Sequence, residues 1–142
     1  MGNDATSDPH TVADFIKPWE GFSPVPYICP AGYWTIGYGQ LCGKDHPRVS
    51  EPQGYAMLLA AVPAYIAHAL RLSPALTGNR LVAISSFIYN LGPTRYASST
   101  LRRRVNEGDW AGAKQEIRRW CFGGGRKLPG LVLRREAEAA LL

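Results

Sequence analysis

Hydrophobic positions along the chain change period near residue 20 and again near residue 50. From Thr11 the run TVADFIKPWE sets Val12, Phe15, Ile16 and Trp19 on one helical stripe, and Pro18 predicts that the helix ends or bends there. Glu20 stands where that helix gives way to the next segment. Over residues 21–50 Gly, Pro, Tyr and β-branched residues dominate, as in PYICPAGYWTIGYG. This predicts two short strands, near Tyr27 and over Tyr33 to Tyr38, joined by a turn at Pro30-Ala31-Gly32.

After Glu51 the chain reads helical almost to its end. Leu58, Val62, Ile66 and Leu70 recur every four residues, with Pro63 placed to bend the run. Leu81, Ile84, Ile88 and Leu91 predict a central buried helix stopped by Gly92. Two more helices follow from STLRRRVNEG and DWAGAKQEIRRW. The second has Asp109 as its N-cap and Trp110, Ala113, Ile117 and Trp120 on one stripe, and Gly123-Gly124-Gly125 is expected to end it. A last helix starts near Pro129 and carries LVLRREAEAALL to the C-terminus. The fold class is α+β, a small sheet lobe inserted near the start of a helical domain, with no internal repeat.

Length bounds this picture to one domain over residues 1–142, with residues 1–10 as a flexible N-terminal segment. The balance of 46% hydrophobic and 19% charged residues is globular and excludes a largely disordered chain. Sixteen Lys and Arg against 11 Asp and Glu give a formal charge of +5, so the surface attracts anionic polymers. Arg102, Arg103 and Arg104 read as a solvated helix face. Cys29, Cys42 and Cys121 are an odd number with neither CxxC nor His-rich spacing, which predicts no structural metal and no disulfide framework, although a Cys29–Cys42 bridge across the hairpin is conceivable. The polar start lacks the features of a secretory signal, and the first apolar stretch is too short to span a bilayer.

Cutting a glycosidic bond needs one carboxylic acid to protonate the leaving oxygen and a second group across the sugar to guide or supply the nucleophile. Glu20 follows an apolar helix face and lies among Trp19, Phe22 and Tyr27, neighbours that favour a protonated carboxyl where they bury it. By position alone it reads equally as an exposed glutamate at a helix end, and Thr35 as an ordinary strand residue.

The segment from Glu20 to Gly39 has eight residues between Glu20 and Cys29 and five between Cys29 and Thr35, and Thr35 opens the run Thr35-Ile36-Gly37-Tyr38-Gly39. This pattern resembles the catalytic signature of the phage-type lysozymes, the bacteriophage endolysins of glycoside hydrolase family 24. There a Glu is followed at these spacings by Asp or Cys and then Thr. ISSFIYNLG, STLRRRVNEGD and GGGRKLPGLVLRREAE also resemble the family, in the same order, so the likeness covers nearly the whole chain. It implies a lysozyme-like fold with an active-site cleft between the sheet lobe and the larger helical lobe. It also implies hydrolysis of the β-1,4 bond between N-acetylmuramic acid and N-acetylglucosamine in bacterial peptidoglycan, and host cell lysis.

Carried over by position, Glu20 is the general acid, Cys29 takes the place usually held by Asp, and Thr35 holds the attacking water. Tyr38, Tyr89 and Asn90 line the saccharide cleft, and Arg126 supplies a basic residue near the acid, with Lys127 beside it. Gln40 stands where the family commonly has His. Cys29 is the departure that matters, because a thiol is less acidic than a carboxyl and a poorer acceptor; base, nucleophile and packing roles all stay open. No cofactor is implied. The resemblance implies a monomer made in the host cytoplasm and acting on peptidoglycan in the periplasm, after release through a phage-made pore and without a membrane anchor.

Two other readings fit parts of the sequence. A lytic transglycosylase would cleave the same bond and leave an anhydro sugar. A non-catalytic cationic protein would bind or perturb the envelope through its +5 charge and the basic segment Arg134-Arg135. Nucleic-acid binding is not expected, since the basic residues are scattered and no helix-turn-helix, zinc-finger or RNA-binding signature occurs.

Overall fold

The structure, a computed structural model, describes residues 8–142. The segment expected to be flexible, 1–10, falls mostly on residues 1–7, outside the described residues, while Pro9 and His10 already belong to the first helix. The described chain divides into two compact units, Pro9–Pro63 and Ala64–Leu142. The fold is α+β, as the residue pattern predicts.

The first unit opens with α1 (Pro9–Glu20), which buries Val12, Ala13 and Ile16. Pro18 lies inside its last turn and does not stop it. A proline there forfeits one backbone donor two residues from a helix end that is fraying anyway. Gly21, at φ 68, takes the left-handed conformation that ends α1 immediately after Glu20. A three-stranded antiparallel sheet follows in the order β1 (Ser23–Ile28), β2 (Trp34–Gly37) and β3 (Gln40–Leu41). Its third strand is an addition to the two that the pattern predicts.

Helix α2 (Glu51–Leu72) contains Pro63 and runs across the boundary between the units. Its first turns serve the site unit. A Cβ on Gly54 would stand 2.6 Å from Phe22 Cε1, so only glycine lets the Phe22 ring settle against the helix. Tyr55 donates to Asp14 Oδ1 at 2.8 Å, tying α2 to α1.

In the second unit, α3 (Gly78–Leu91) buries every residue from Leu81 to Ile88, and Gly92 follows it at φ 92. Phe87 meets the rings of Tyr96 and Trp120 edge-on at 6.0 and 5.6 Å. The short α4 (Pro93–Ala97), which the pattern does not predict, carries Tyr96. Then come α5 (Thr100–Glu107), α6 (Trp110–Arg118) and α7 (Pro129–Ala140). Asp109 caps α6 as expected, accepting from Gly112 N at 2.9 Å. Arg102 differs from a solvated residue: it donates to the carbonyls of Leu72 and Ala97 at 2.9 and 3.1 Å, and Asn106 adds a third bond to Leu72 O. These bonds satisfy carbonyls that the ends of α2 and α4 leave open.

Two expectations are corrected here. The glycine run does not end α6, which stops at Arg118. Gly124 and Gly125, at φ 58 and 77, form the two-residue turn of a small hairpin between β4 (Phe122–Gly123) and β5 (Arg126–Lys127). A turn with both central residues at positive φ matches the strand twist and selects glycine. The second correction concerns Arg134 and Arg135, which are not a cationic surface: they are 3% and 0% exposed. They flank Glu138, which is also fully buried. Arg135 Nε lies 2.9 Å from Glu138 Oε1, Arg134 Nε lies 3.3 Å from Oε2, and Ser86 of α3 donates to Oε2 at 2.6 Å. Burial raises the Glu138 carboxyl above its ordinary pKa, and Arg135, Arg134 and the Ser86 hydroxyl pull the other way.

Removing one member of such a cluster strands the others without water. Glu138→Ala is expected to lower stability by about 3–5 kcal/mol, read from the shift in denaturation midpoint at unchanged slope. A loss below about 1 kcal/mol, the range of an exposed pair, would contradict the cluster's role.

Candidate active site

The site residues of the first unit sit within one stretch, from the end of α1 to the start of β2. Glu20 is half-buried at the last position of α1, held there by the left-handed turn at Gly21. With Gly21, Phe22, Ser23 and Tyr27 it lines an open pocket of about 320 Å³.

The β1–β2 pairing carries the other two candidates. Tyr27 is directly opposite Thr35, and Leu41 of β3 pairs with Thr35 on its other flank. Cross-strand partners share a face, so Tyr27, Thr35 and Leu41 form one row. The hairpin closes where Cys29 N donates to Tyr33 O at 2.9 Å and Gly32 N donates to Cys29 O at 2.8 Å, with Gly32 at φ 91.

That turn also bears on the acidity of the sulfur. The Cys29 thiol is pulled below its ordinary pKa, first by the backbone N–H of Tyr33 and next by the Thr35 hydroxyl. The N–H groups of Ala31 and Gly32 add to this, against a smaller opposing effect of burial. Thr35 is 3% exposed, and its hydroxyl donates to Tyr33 O at 2.9 Å. A hydroxyl has one proton, so it cannot serve Tyr33 O and a thiolate together. The bond to Tyr33 O suits the neutral thiol. On ionisation the proton turns to the sulfur, and Tyr33 O keeps the Cys29 N–H.

Tyr27, counted in the sequence only as an apolar neighbour of Glu20, belongs to the same cluster. Its phenol is raised above the ordinary value by burial, then by the charges of Glu20 and of Cys29. One ring therefore feels both groups. The register opposite Thr35 was the signal available for it, but that needs the turn to be known first.

The remaining predicted residues are described within their own units. Tyr38 is 7% exposed and donates its hydroxyl to Glu51 at 2.5 Å, which pushes its pKa up to about 12; it braces β2 to the start of α2. Tyr89, Asn90 and Arg126 belong to the second unit. Tyr89 is half-buried and packs edge-on against Tyr65 at 4.9 Å, Asn90 accepts from Arg135 at 2.8 Å, and Arg126 is exposed in β5. No group of three or more His, Cys, Asp or Glu fit to hold a metal occurs among the described residues. All three cysteines are free thiols, so the conceivable Cys29–Cys42 bridge is not formed.

The donor set around Cys29 gives a direct test. Alkylation followed over pH by mass mapping should show Cys29 reacting as thiolate below the pH of an ordinary thiol. Thr35→Val, which deletes one donor at near-constant volume, should move that midpoint upward. An unmoved midpoint would show that Thr35 does not support the charged sulfur.

Comparison with known proteins identifies the family. A sequence model described as phage lysozyme matches residues 17–138. The chain is 37% identical over 134 residues to an endolysin of Acyrthosiphon pisum secondary endosymbiont phage 1, spanning 89% of this chain and 90% of that one. Among solved structures it resembles the muramidase domain of SpmX from Asticaccaulis excentricus, with a TM-score of 0.84 at 30% identity, covering 92% and 93% of the two chains. It also resembles an endolysin from Escherichia coli O157:H7 phage FAHEc1, with a TM-score of 0.80 at 30% identity over 99% and 94%. A match running from within α1 into α7 takes in both units and every residue of the candidate site, and the chain belongs to the phage lysozyme family.

Proposed function

We propose that this chain is a muramidase that hydrolyses the β-1,4 bond between N-acetylmuramic acid and N-acetylglucosamine in peptidoglycan, with Glu20, Cys29 and Thr35 carrying the reaction. The observation that supports this most is the Cys29 sulfur held among the turn amides and the Thr35 hydroxyl, at the motif spacing from a half-buried Glu20. Glu20 gives its proton to the leaving glycosidic oxygen. The water that attacks the anomeric carbon donates one hydrogen to the Cys29 thiolate and the other to a lone pair of Thr35 Oγ1. The sulfur thus takes the proton that an aspartate would otherwise take. Glu20 ends as carboxylate and Cys29 as thiol, and a proton passing between them through solvent restores the start.

Asn90, Tyr89 and Tyr38 are assigned to the saccharide side, Tyr38 through its brace on Glu51. Arg126 is assigned to charge near the acid. The relatives named endolysin and the solved muramidase domain support the substrate class. The net charge of +5 favours capture by anionic envelope polymers. The protein acts as a monomer in the periplasm of its host, reaching it from the cytoplasm through a phage-made pore, and its action lyses the cell. Envelope disruption by an arginine surface loses its footing, because Arg134 and Arg135 are buried.

Two substitutions test the assignment. Glu20→Gln keeps the shape and removes the transferable proton, so turbidity loss of outer-membrane-stripped cells should slow by about 10²–10⁴-fold with an unchanged circular dichroism spectrum. Cys29→Ser should be similarly impaired, because a hydroxyl is almost never ionised near neutral pH, while Cys29→Asp retains substantial activity. Lysis by Glu20→Gln at near the parent rate would sink the enzyme reading; full activity in Cys29→Ser would reduce the cysteine to packing.

A further inference from the structure

The buried ionic cluster of the second unit ends on a residue of the proposed site. Ser86 and Asn90 stand one turn apart on α3, and both are met by α7. Ser86 closes one end of the cluster through Glu138 Oε2 at 2.6 Å and accepts from Arg134 on its own carbonyl at 3.0 Å. Asn90 closes the other. Arg135 reaches Glu138 with Nε and Asn90 Oδ1 with Nη2, at 2.9 and 2.8 Å. Arg135 is 0% exposed, so its guanidinium is out of reach of solvent, whereas Asn90 is only half-buried.

An arginine only donates, so the Asn90 atom that faces it must be the oxygen. A flipped amide would set two donors against each other and leave a buried charge short of an acceptor. The oxygen end of Asn90 is therefore committed to the protein. Its Nδ2 has no protein acceptor among the described residues.

We propose that Arg135 is a positioning residue that fixes the polarity of the Asn90 amide, so that Asn90 meets the glycan as a hydrogen-bond donor to an acetamido carbonyl or hydroxyl oxygen. This rests on the muramidase reading above, and it names the chemistry that one of its binding residues must use. Glu138 holds Arg135 in place, so a carboxylate two residues removed from any sugar sets which partner the sugar must offer.

Asn90→Asp separates the two ends of the amide. The aspartate still offers Arg135 an oxygen, now charged, and removes both outward donors. A purely structural Asn90 would be served as well or better by this change. The expected result on soluble glycan strands is an unchanged or raised melting temperature, with KM raised by about tenfold, the loss of one neutral hydrogen bond, and a smaller change in kcat. As a second readout, the Asn90 side-chain amide signals of the Glu20→Gln protein should shift when a soluble N-acetylglucosamine oligomer is added. Wild-type KM in Asn90→Asp would overturn the inference and leave the muramidase reading intact. So would unmoved amide signals with the oligomer bound, or an Asn90→Asp chain that fails to fold. A wild-type protein that leaves the strands uncut overturns both.

Discussion

Side chains on a strand alternate faces at every residue, so the register at the turn end of the β1–β2 pairing, beyond the irregularity between Ser23 and Tyr27, decides which side chains meet. Tyr27 opposite Thr35 puts the phenol and the hydroxyl on one face; a slip of one residue would send Thr35 to the other side of the sheet. The register is held by the turn from Cys29 to Tyr33, whose backbone bonds close the hairpin and whose amides also surround the sulfur. The same few peptide groups thus shape the hairpin and favour ionisation of the Cys29 thiol. Upstream, Gly21 ends α1 at Glu20, and Phe22 is seated against the bare backbone of Gly54, so the chain reaches β1 with the acid close behind.

Amides and a hydroxyl stabilise any small anion placed among them. A carboxylate at position 29 would accept from the same donors, which gives a physical reason why Cys and Asp are interchangeable at this place in the family pattern. The donors compensate for the thiol's weaker acidity by pulling its pKa down. The second unit uses the opposite device. There charges are removed from water and paired in a buried cluster, two arginines sharing the carboxylate of Glu138 with the Ser86 hydroxyl, which costs desolvation and ties α3 to α7.

Much of this was legible in the residue pattern, for stated reasons. Helices whose apolar stripe does the packing were readable from period alone: Val12 and Ile16 in α1, Leu58, Val62 and Ile66 in α2, Ala113 and Ile117 in α6. Glu20, Cys29 and Thr35 pointed to a reaction only through the resemblance of their spacing to a family signature, since each taken alone reads as an ordinary helix-end, packing or strand residue. What stayed hidden depends on partners far along the chain. Arg134 and Arg135 read as surface charges until α3 is laid over Glu138, and Arg102 reads as solvated until the end of α2 presents its carbonyls. The glycine run read as a helix stop because a two-residue hairpin turn and a helix end ask for the same residue. The bond of the Tyr38 hydroxyl to Glu51, thirteen residues on, was not readable either. Apart from the Thr35 hydroxyl, the donors around the sulfur are backbone groups, which leave no mark in a sequence.

The account turns on water attacking the anomeric carbon while Glu20 protonates the leaving oxygen. Digesting peptidoglycan in water enriched in heavy oxygen and weighing the released muropeptides tests this directly. The account predicts reducing muropeptides that carry one heavy oxygen at the new anomeric end. Anhydro products, lighter by one water and free of label, would contradict it.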